Sequence, residues 1–146
     1  MKIKNLELIV IINILSSFND KKLPQKISYA ITRNYMILEK EYQYYDKEIK
    51  KIFSQYEKYF ELDNDNKPIV NTNGIPLIKD EYKDEVQGKY TSEINELLNI
   101  EIDVDLYSIS VDCFEYDDAD NKYDILTPME IMNLQRIICS KEDTNV

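Results

Sequence analysis

Apolar and aromatic side chains recur at Ile31, Tyr35, Leu38, Tyr42, Tyr45, Ile49, Ile52, Tyr56 and Tyr59. The steps alternate four and three, the spacing that keeps one stripe of a helix turned toward a neighbour. No Gly or Pro falls between Pro24 and Pro68, and Glu and Lys fill the other faces. The pattern predicts one helix over residues 26–60, about 50 Å long at 1.5 Å per residue. A stripe of that length needs other elements, or a second copy, to cover it.

The remaining segments predict shorter elements. Leu8 to Leu15 is apolar except for Asn13, which reads as a buried helix over residues 6–18 with Asn5 as its N-cap. Its β-branched content leaves a strand open as the alternative. Past Phe60 the chain turns to Asn, Asp, Pro and Gly, and Thr72-Asn73-Gly74 separates two short apolar runs. That signals a hairpin near 67–78, kept small and exposed by Pro68 and Pro76. Residues 80–99 read as a helix with Val86, Tyr90, Ile94, Leu97 and Leu98 on one side, weakened by Gly88 and folding back over part of the Tyr stripe. Ile100, Ile102, Val104 and Leu106 alternate with Glu101, Asp103 and Asp105, a half-buried acidic strand over 100–106. The phase slips at Tyr107, which predicts a bulge or tight turn. An acidic loop follows, then Thr127-Pro128-Met129-Glu130 opens a last helix with a cap, a Pro at its first position and a capping-box Glu. The tail from Lys141 reads as frayed, and no internal repeat is apparent. The fold expected is α+β: one long helix packed with three shorter ones, plus a small antiparallel β component, in a single domain over 1–146.

Composition agrees with that outline and adds a charge pattern. At 146 residues, 43% hydrophobic and 32% charged, the chain can bury a core and still meet water. Twelve Tyr against no Trp suits half-buried helix positions, since Tyr pairs an apolar ring with a polar tip. The net charge is −10, yet residues 39–58 hold five acids and five lysines, whereas residues 100–124 hold nine acids and only Lys122. Such a surface repels nucleic acid and anionic membranes and attracts basic protein surfaces. Cys113 and Cys139 have no close-spaced partner and sit among apolar residues. They read as free thiols in a reducing cytoplasm, a single disulfide being the alternative. The first eighteen residues imitate a signal peptide, but Glu7 interrupts them and no small-x-small site follows Ser16 and Ser17. The apolar run is also too short to span a bilayer. A cytoplasmic setting is expected.

Three segments carry a resemblance: Lys2-Ile3-Lys4-Asn5 with the apolar helix, Lys22-Leu23-Pro24-Gln25-Lys26-Ile27-Ser28-Tyr29-Ala30, and Glu96-Leu97-Leu98-Asn99-Ile100-Glu101-Ile102. In order and spacing they resemble a family of small uncharacterised phage and prophage proteins of low-GC Gram-positive bacteria. The resemblance covers nearly the whole chain and brings no catalytic motif. It implies a phage genome as the source and the host cytoplasm during infection as the setting. The Tyr-rich long helix and the longer acidic loop depart from what that family leads one to expect.

Candidate chemistry is sparse. With no His, the commonest general base and transition-metal ligand are missing. There is no Cys-x-x-Cys, no Gly-rich phosphate loop and no nucleophile elbow. Asp118, Asp120 and Asp124 approach calcium-loop spacing, but Lys122 stands where an oxygen ligand belongs; Asp63-Asn64-Asp65 fails similarly at Pro68. Asp103 and Asp105 read as solvent-facing, where little would separate their acidities for acid–base work. The chain therefore reads as a non-enzyme with no metal and no cofactor.

Two surfaces remain as candidates. Glu101, Asp103 and Asp105 would project from one strand face about 6.7 Å apart, a charge row continued by Asp112, Glu115, Asp117, Asp118 and Asp120. Such a row can replace phosphates in a basic channel, or simply be solvated. With the phage resemblance it suggests an inhibitor of a host nucleic-acid-handling defence protein, such as a CRISPR effector or another nuclease, binding neither nucleic acid nor membrane itself. The second surface is the stripe at Tyr35, Tyr42, Tyr45, Tyr56 and Tyr59. It is core where covered, and a partner-binding or homodimer patch where it is not. That yields the alternative of a phage assembly protein that oligomerises through its long helix. A metal-dependent hydrolase built on the acidic cluster is the third reading.

Overall fold

The four-three stripe folds as the helix α2 (Gln25–Tyr56), and a 3-10 turn over Glu57–Tyr59 prolongs it, so the helical run matches the 26–60 expected. The structure, a computed structural model, describes residues 1–118 and 120–139; the tail from Lys141 lies outside these. Around α2 the chain places β1 (Lys2–Lys4), α1 (Asn5–Ser16), α3 (Gly88–Leu98), β2 (Glu101–Asp103) and α4 (Pro128–Ile138). The class is α+β and mostly helical. Within the single domain expected from length, the chain groups into two compact units, Met1–Tyr42 with Glu101–Val146 and Gln43–Ile100. α2 contributes to both.

In the first unit β1 pairs antiparallel with β2, matching Lys2 with Asp103, Ile3 with Ile102 and Lys4 with Glu101. The apolar segment that follows is helix rather than strand. Leu8 and Leu15 are both fully buried, and seven residues is two helical turns, whereas a strand would place them on opposite faces. Asn5 is not the cap: it is the first residue of α1, is itself buried, and follows Lys4 at the capping position. α1 meets Ile27, Ala30, Ile31 and Leu38 of α2, Val104 and Leu126, and Leu134 and Ile138 of α4 in one continuous core.

The regular strand at β2 is shorter than the 100–106 expected: its ladder with β1 closes where the Val104 N–H donates to the Met1 carbonyl at 2.9 Å, and three residues further on the backbone is held by Asn34. This side chain is fully buried on α2. Its Nδ2 donates to the carbonyl of Tyr107 at 2.9 Å and its Oδ1 accepts from the Tyr107 N–H at 2.7 Å. Both backbone groups of Tyr107 are thus satisfied by a side chain instead of a ladder. The slip in alternation marks this diversion, in place of the bulge the sequence suggests. Beyond it Ile109 N–H donates to the Ile138 carbonyl at 2.8 Å, tying the segment to the end of α4.

The second unit holds more β character than a hairpin at 67–78. Three short antiparallel arms bring Phe60 opposite Ile78, Leu62 opposite Pro68 and Val70 opposite Pro76. They meet at a closed ring of hydrogen bonds: Glu61 N–H donates to Leu77 O (2.8 Å), Leu77 N–H to Ile69 O (2.9 Å) and Ile69 N–H to Glu61 O (2.8 Å). The ring members are eight residues apart because the sequence does repeat here. Leu62-Asp63-Asn64-Asp65-Asn66-Lys67-Pro68-Ile69 is followed by Val70-Asn71-Thr72-Asn73-Gly74-Ile75-Pro76-Leu77. In each octad the second residue caps its own turn. Asp63 Oδ1 accepts from the N–H of Asp65 and of Lys67, and Asn71 Oδ1 from that of Asn73 and of Ile75. In each, the fifth residue takes positive φ, 60° at Asn66 and 77° at Gly74, the left-handed position that ends a three-residue hairpin loop. The repeat escapes notice because seven of eight positions differ in letter while keeping the same geometry. Asp63, considered above as a calcium ligand, is a turn cap.

Tyr90 on α3 fixes this element by donating its buried hydroxyl to the Pro76 carbonyl at 2.7 Å. Its ring lies 5.0 Å from Tyr56 and 5.9 Å from Phe60. Burial raises the Tyr90 hydroxyl well above its ordinary pKa of 10.0, so it stays a donor. The helix expected over 80–99 changes winding twice: a 3-10 turn at Asp80–Tyr82, a π-turn at Lys83–Gln87, then α3 from Gly88.

Replacing Asn34 by Leu leaves the Tyr107 N–H and carbonyl without their partner, and is expected to destabilise the protein by about 2–3 kcal/mol in urea unfolding. The two glycines are expected to respond oppositely. Gly88 has ordinary helical φ and open space at its Cβ, so Gly88→Ala is expected to add about 0.5–1 kcal/mol. Gly74 requires positive φ, so Gly74→Ala is expected to cost about 1 kcal/mol. Thermal melts of the two variants decide the signs.

Candidate functional site

The acidic residues divide by what their carboxylates do. Glu101, Asp103, Asp105, Asp112, Glu115, Asp117 and Asp120 are exposed, and Asp118 is half-buried. The evenly spaced row expected over 101–105 is only partly realised. Glu101 and Asp103 lie opposite Lys4 and Lys2 in the ladder, and the amino-terminal ammonium is 3.2 Å from Asp103. Directly opposed unlike charges offset each other. These two therefore contribute little to a purely negative face.

Asp118 and Asp124 shape the loop. Asp118 Oδ1 accepts from the Tyr123 N–H at 3.1 Å, and its carbonyl accepts from Asn121, whose φ is 52°. Asp124 exchanges two hydrogen bonds with Lys22: its Oδ2 accepts from the Lys22 N–H at 2.7 Å, and its own N–H donates to the Lys22 carbonyl at 2.8 Å. The Tyr116 and Tyr123 rings meet edge to face at 5.4 Å. Burial first, then the Asp118 charge, raises the Tyr116 hydroxyl above its ordinary value. Asp118 and Asp124, two of the three carboxylates at calcium-loop spacing, thus hold backbone. Ser110 caps the short 3-10 turn Val111–Phe114 by accepting from the Asp112 N–H, which directs Asp112 outward at its start. Asp105, Asp112, Glu115, Asp117 and Asp120 form the outward set.

The loop runs into α4 through the cap that the sequence announces. Thr127 Oγ1 accepts from the Glu130 N–H at 3.1 Å, and Glu130 Oε1 accepts from the Thr127 N–H at 3.0 Å. Lys21 Nζ approaches the same carboxylate at 3.5 Å. The Thr127 backbone bond, aided by Lys21, holds the Glu130 carboxyl below its ordinary 4.5.

The tyrosine stripe turns into the protein. Tyr35 and Tyr42 pack half-buried on the core of the first unit, Tyr45 is 9% exposed, and Tyr56 and Tyr59 join the ring cluster of the second. The neighbouring Glu93 carboxylate first, then burial, raises the Tyr56 hydroxyl above its ordinary value. The outward tyrosines of α2 are Tyr29 and Tyr44, off the stripe. Cys113 is half-buried and Cys139 buried, and neither is in a disulfide. Among the described residues no group of three His, Cys, Asp or Glu side chains is placed to hold a metal, and no helix is long and apolar enough to cross a membrane. No protein-family model, curated protein or solved structure matches the chain.

Removing the cap by Thr127→Ala is expected to cost about 1 kcal/mol. Because the folded-state pKa of Glu130 is depressed, its contribution is complete above the ordinary carboxylate range and fades as pH falls through the folded value. The melting-temperature gap between wild type and Glu130→Gln is therefore expected to be widest near neutrality and to shrink at pH below about 4.5.

Proposed function

We propose that this chain is a non-enzymatic, phage-encoded protein that binds and inhibits a host nucleic-acid-handling defence protein, in the manner of an anti-CRISPR protein, in the host cytoplasm. The observation that carries the reading is the outward set Asp105, Asp112, Glu115, Asp117 and Asp120 on a segment anchored at Tyr107, Asp118 and Asp124. Carboxylates on an anchored backbone lose little conformational entropy on docking, which favours recognition of a basic surface. A purely solvated loop needs no such anchoring. The rival reading, assembly through the long helix, loses its support where the Tyr stripe is covered by the chain's own core.

The test compares wild type with a variant carrying Asp105→Lys, Asp112→Lys, Glu115→Lys and Asp120→Lys, as bait in host lysate. These four sites spare the carboxylates that cap the loop. Wild type is expected to retain a nucleic-acid-binding protein in a salt-sensitive manner, and the variant to lose it. Equal retention by both, with both folded, would refute the acidic face as the contact.

A further inference from the structure

The first unit carries a surface groove of about 450 Å³ along α1 and α4. Ile3, Ile11, Leu106 and Ile137 are buried or half-buried and form its floor. Leu6 and Val10, one turn apart on α1, stand on its rim, and each is 52% exposed. Glu7 is the sole charged residue of α1, and Arg136 lines the groove from α4. Both are exposed, and among the described residues neither is in an ion pair. Of the acidic segment only the apolar side chain of Leu106 reaches the groove, and the long-helix stripe has no part in it.

We propose that this face binds the same face of a second copy of the chain in a two-fold dimer. Leu6 and Val10 of each copy enter the groove of the other, and Glu7 of each meets Arg136 of the other. A two-fold interface must be complementary to itself. This face supplies both halves of the match, an apolar ridge beside an apolar groove and one acid beside one base. Its side chains carry one acid and one base, and the Met1 ammonium at its edge is paired with Asp103, so in a chain of net charge −10 two copies meet here with little local repulsion. A uniformly basic partner would set a like charge against Arg136, and a uniformly acidic one would do so against Glu7. A small apolar ligand could fill the groove but would leave the Leu6–Val10 ridge in water.

Sedimentation velocity on the full chain over a micromolar to millimolar series tests the pairing, with circular dichroism confirming that each variant is folded. Wild type is expected to dimerise, and more tightly as salt screens the overall negative charge. Val10→Lys is expected to weaken the dimer by at least about tenfold. Glu7→Arg and Arg136→Glu, both surface changes that leave the core intact, are each expected to weaken it, and together to restore it to within about threefold of wild type. A wild type monomeric throughout the series overturns the proposal. So does a dimer indifferent to these substitutions, or a double variant no better than the singles. The outcome is independent of the acidic face, because none of these changes touches it.

Discussion

The buried amide of Asn34 is the interaction on which the first unit depends. A side chain with two polar groups and no access to water must satisfy both, since in a medium of low dielectric an unmade bond costs far more than in water. Asn34 does so on the N–H and carbonyl of a single residue, Tyr107. That choice ties the segment beyond the β ladder to α2. The surroundings reinforce it: the Tyr107 ring meets Tyr29 edge to face at 5.5 Å, and the Arg33 guanidinium lies 4.7 Å from its centre. One helix turn of α2 therefore grips both the backbone and the ring of the residue from which the acidic segment departs.

Within that segment the carboxylates have different physical roles although the residues look alike in sequence. Those at 118 and 124 accept backbone N–H groups and so specify a loop; those at 101 and 103 face lysines across a ladder. Asp105, Asp112, Glu115 and Asp120 are exposed and belong to the proposed face. The second unit uses the same device for a purely structural end. Asp63 and Asn71 each draw two N–H groups into a tight turn, and two such turns allow three arms to close a ring of hydrogen bonds. Acidic and amide side chains in this chain are builders of turns before they are sites.

The proposed acidic face and the proposed dimer face share only the segment at Asp105 and Leu106 and answer to different forces. The first is long-range, screened by salt and tolerant of shape; the second is short-range and demands a fit of ridge to groove. α1 makes the second face available because it is apolar nearly all round. Its inner side, Leu8 and Leu15, belongs to the core, while Leu6 and Val10 are left on the outside.

What the sequence by itself determined is whatever a local period or a local bond dictates. The four-three spacing of α2 needs nothing outside the helix to be read, and neither does the Thr127–Glu130 box, whose two partners are three residues apart. The α+β class, with the last helix beginning at Pro128, was legible for that reason. The octad repeat was equally local, but it was masked by letters that differ while their turn geometry agrees. Tertiary structure alone decided the rest, because the deciding partners are far apart along the chain. Asn34 finds Tyr107 across 73 residues, Lys22 finds Asp124 across 102, and Lys2 finds Asp103 only through a ladder between distant strands. No pattern within either segment encodes its partner. So the role of each carboxylate, the covering of the Tyr stripe and the groove beside α1 all followed from packing.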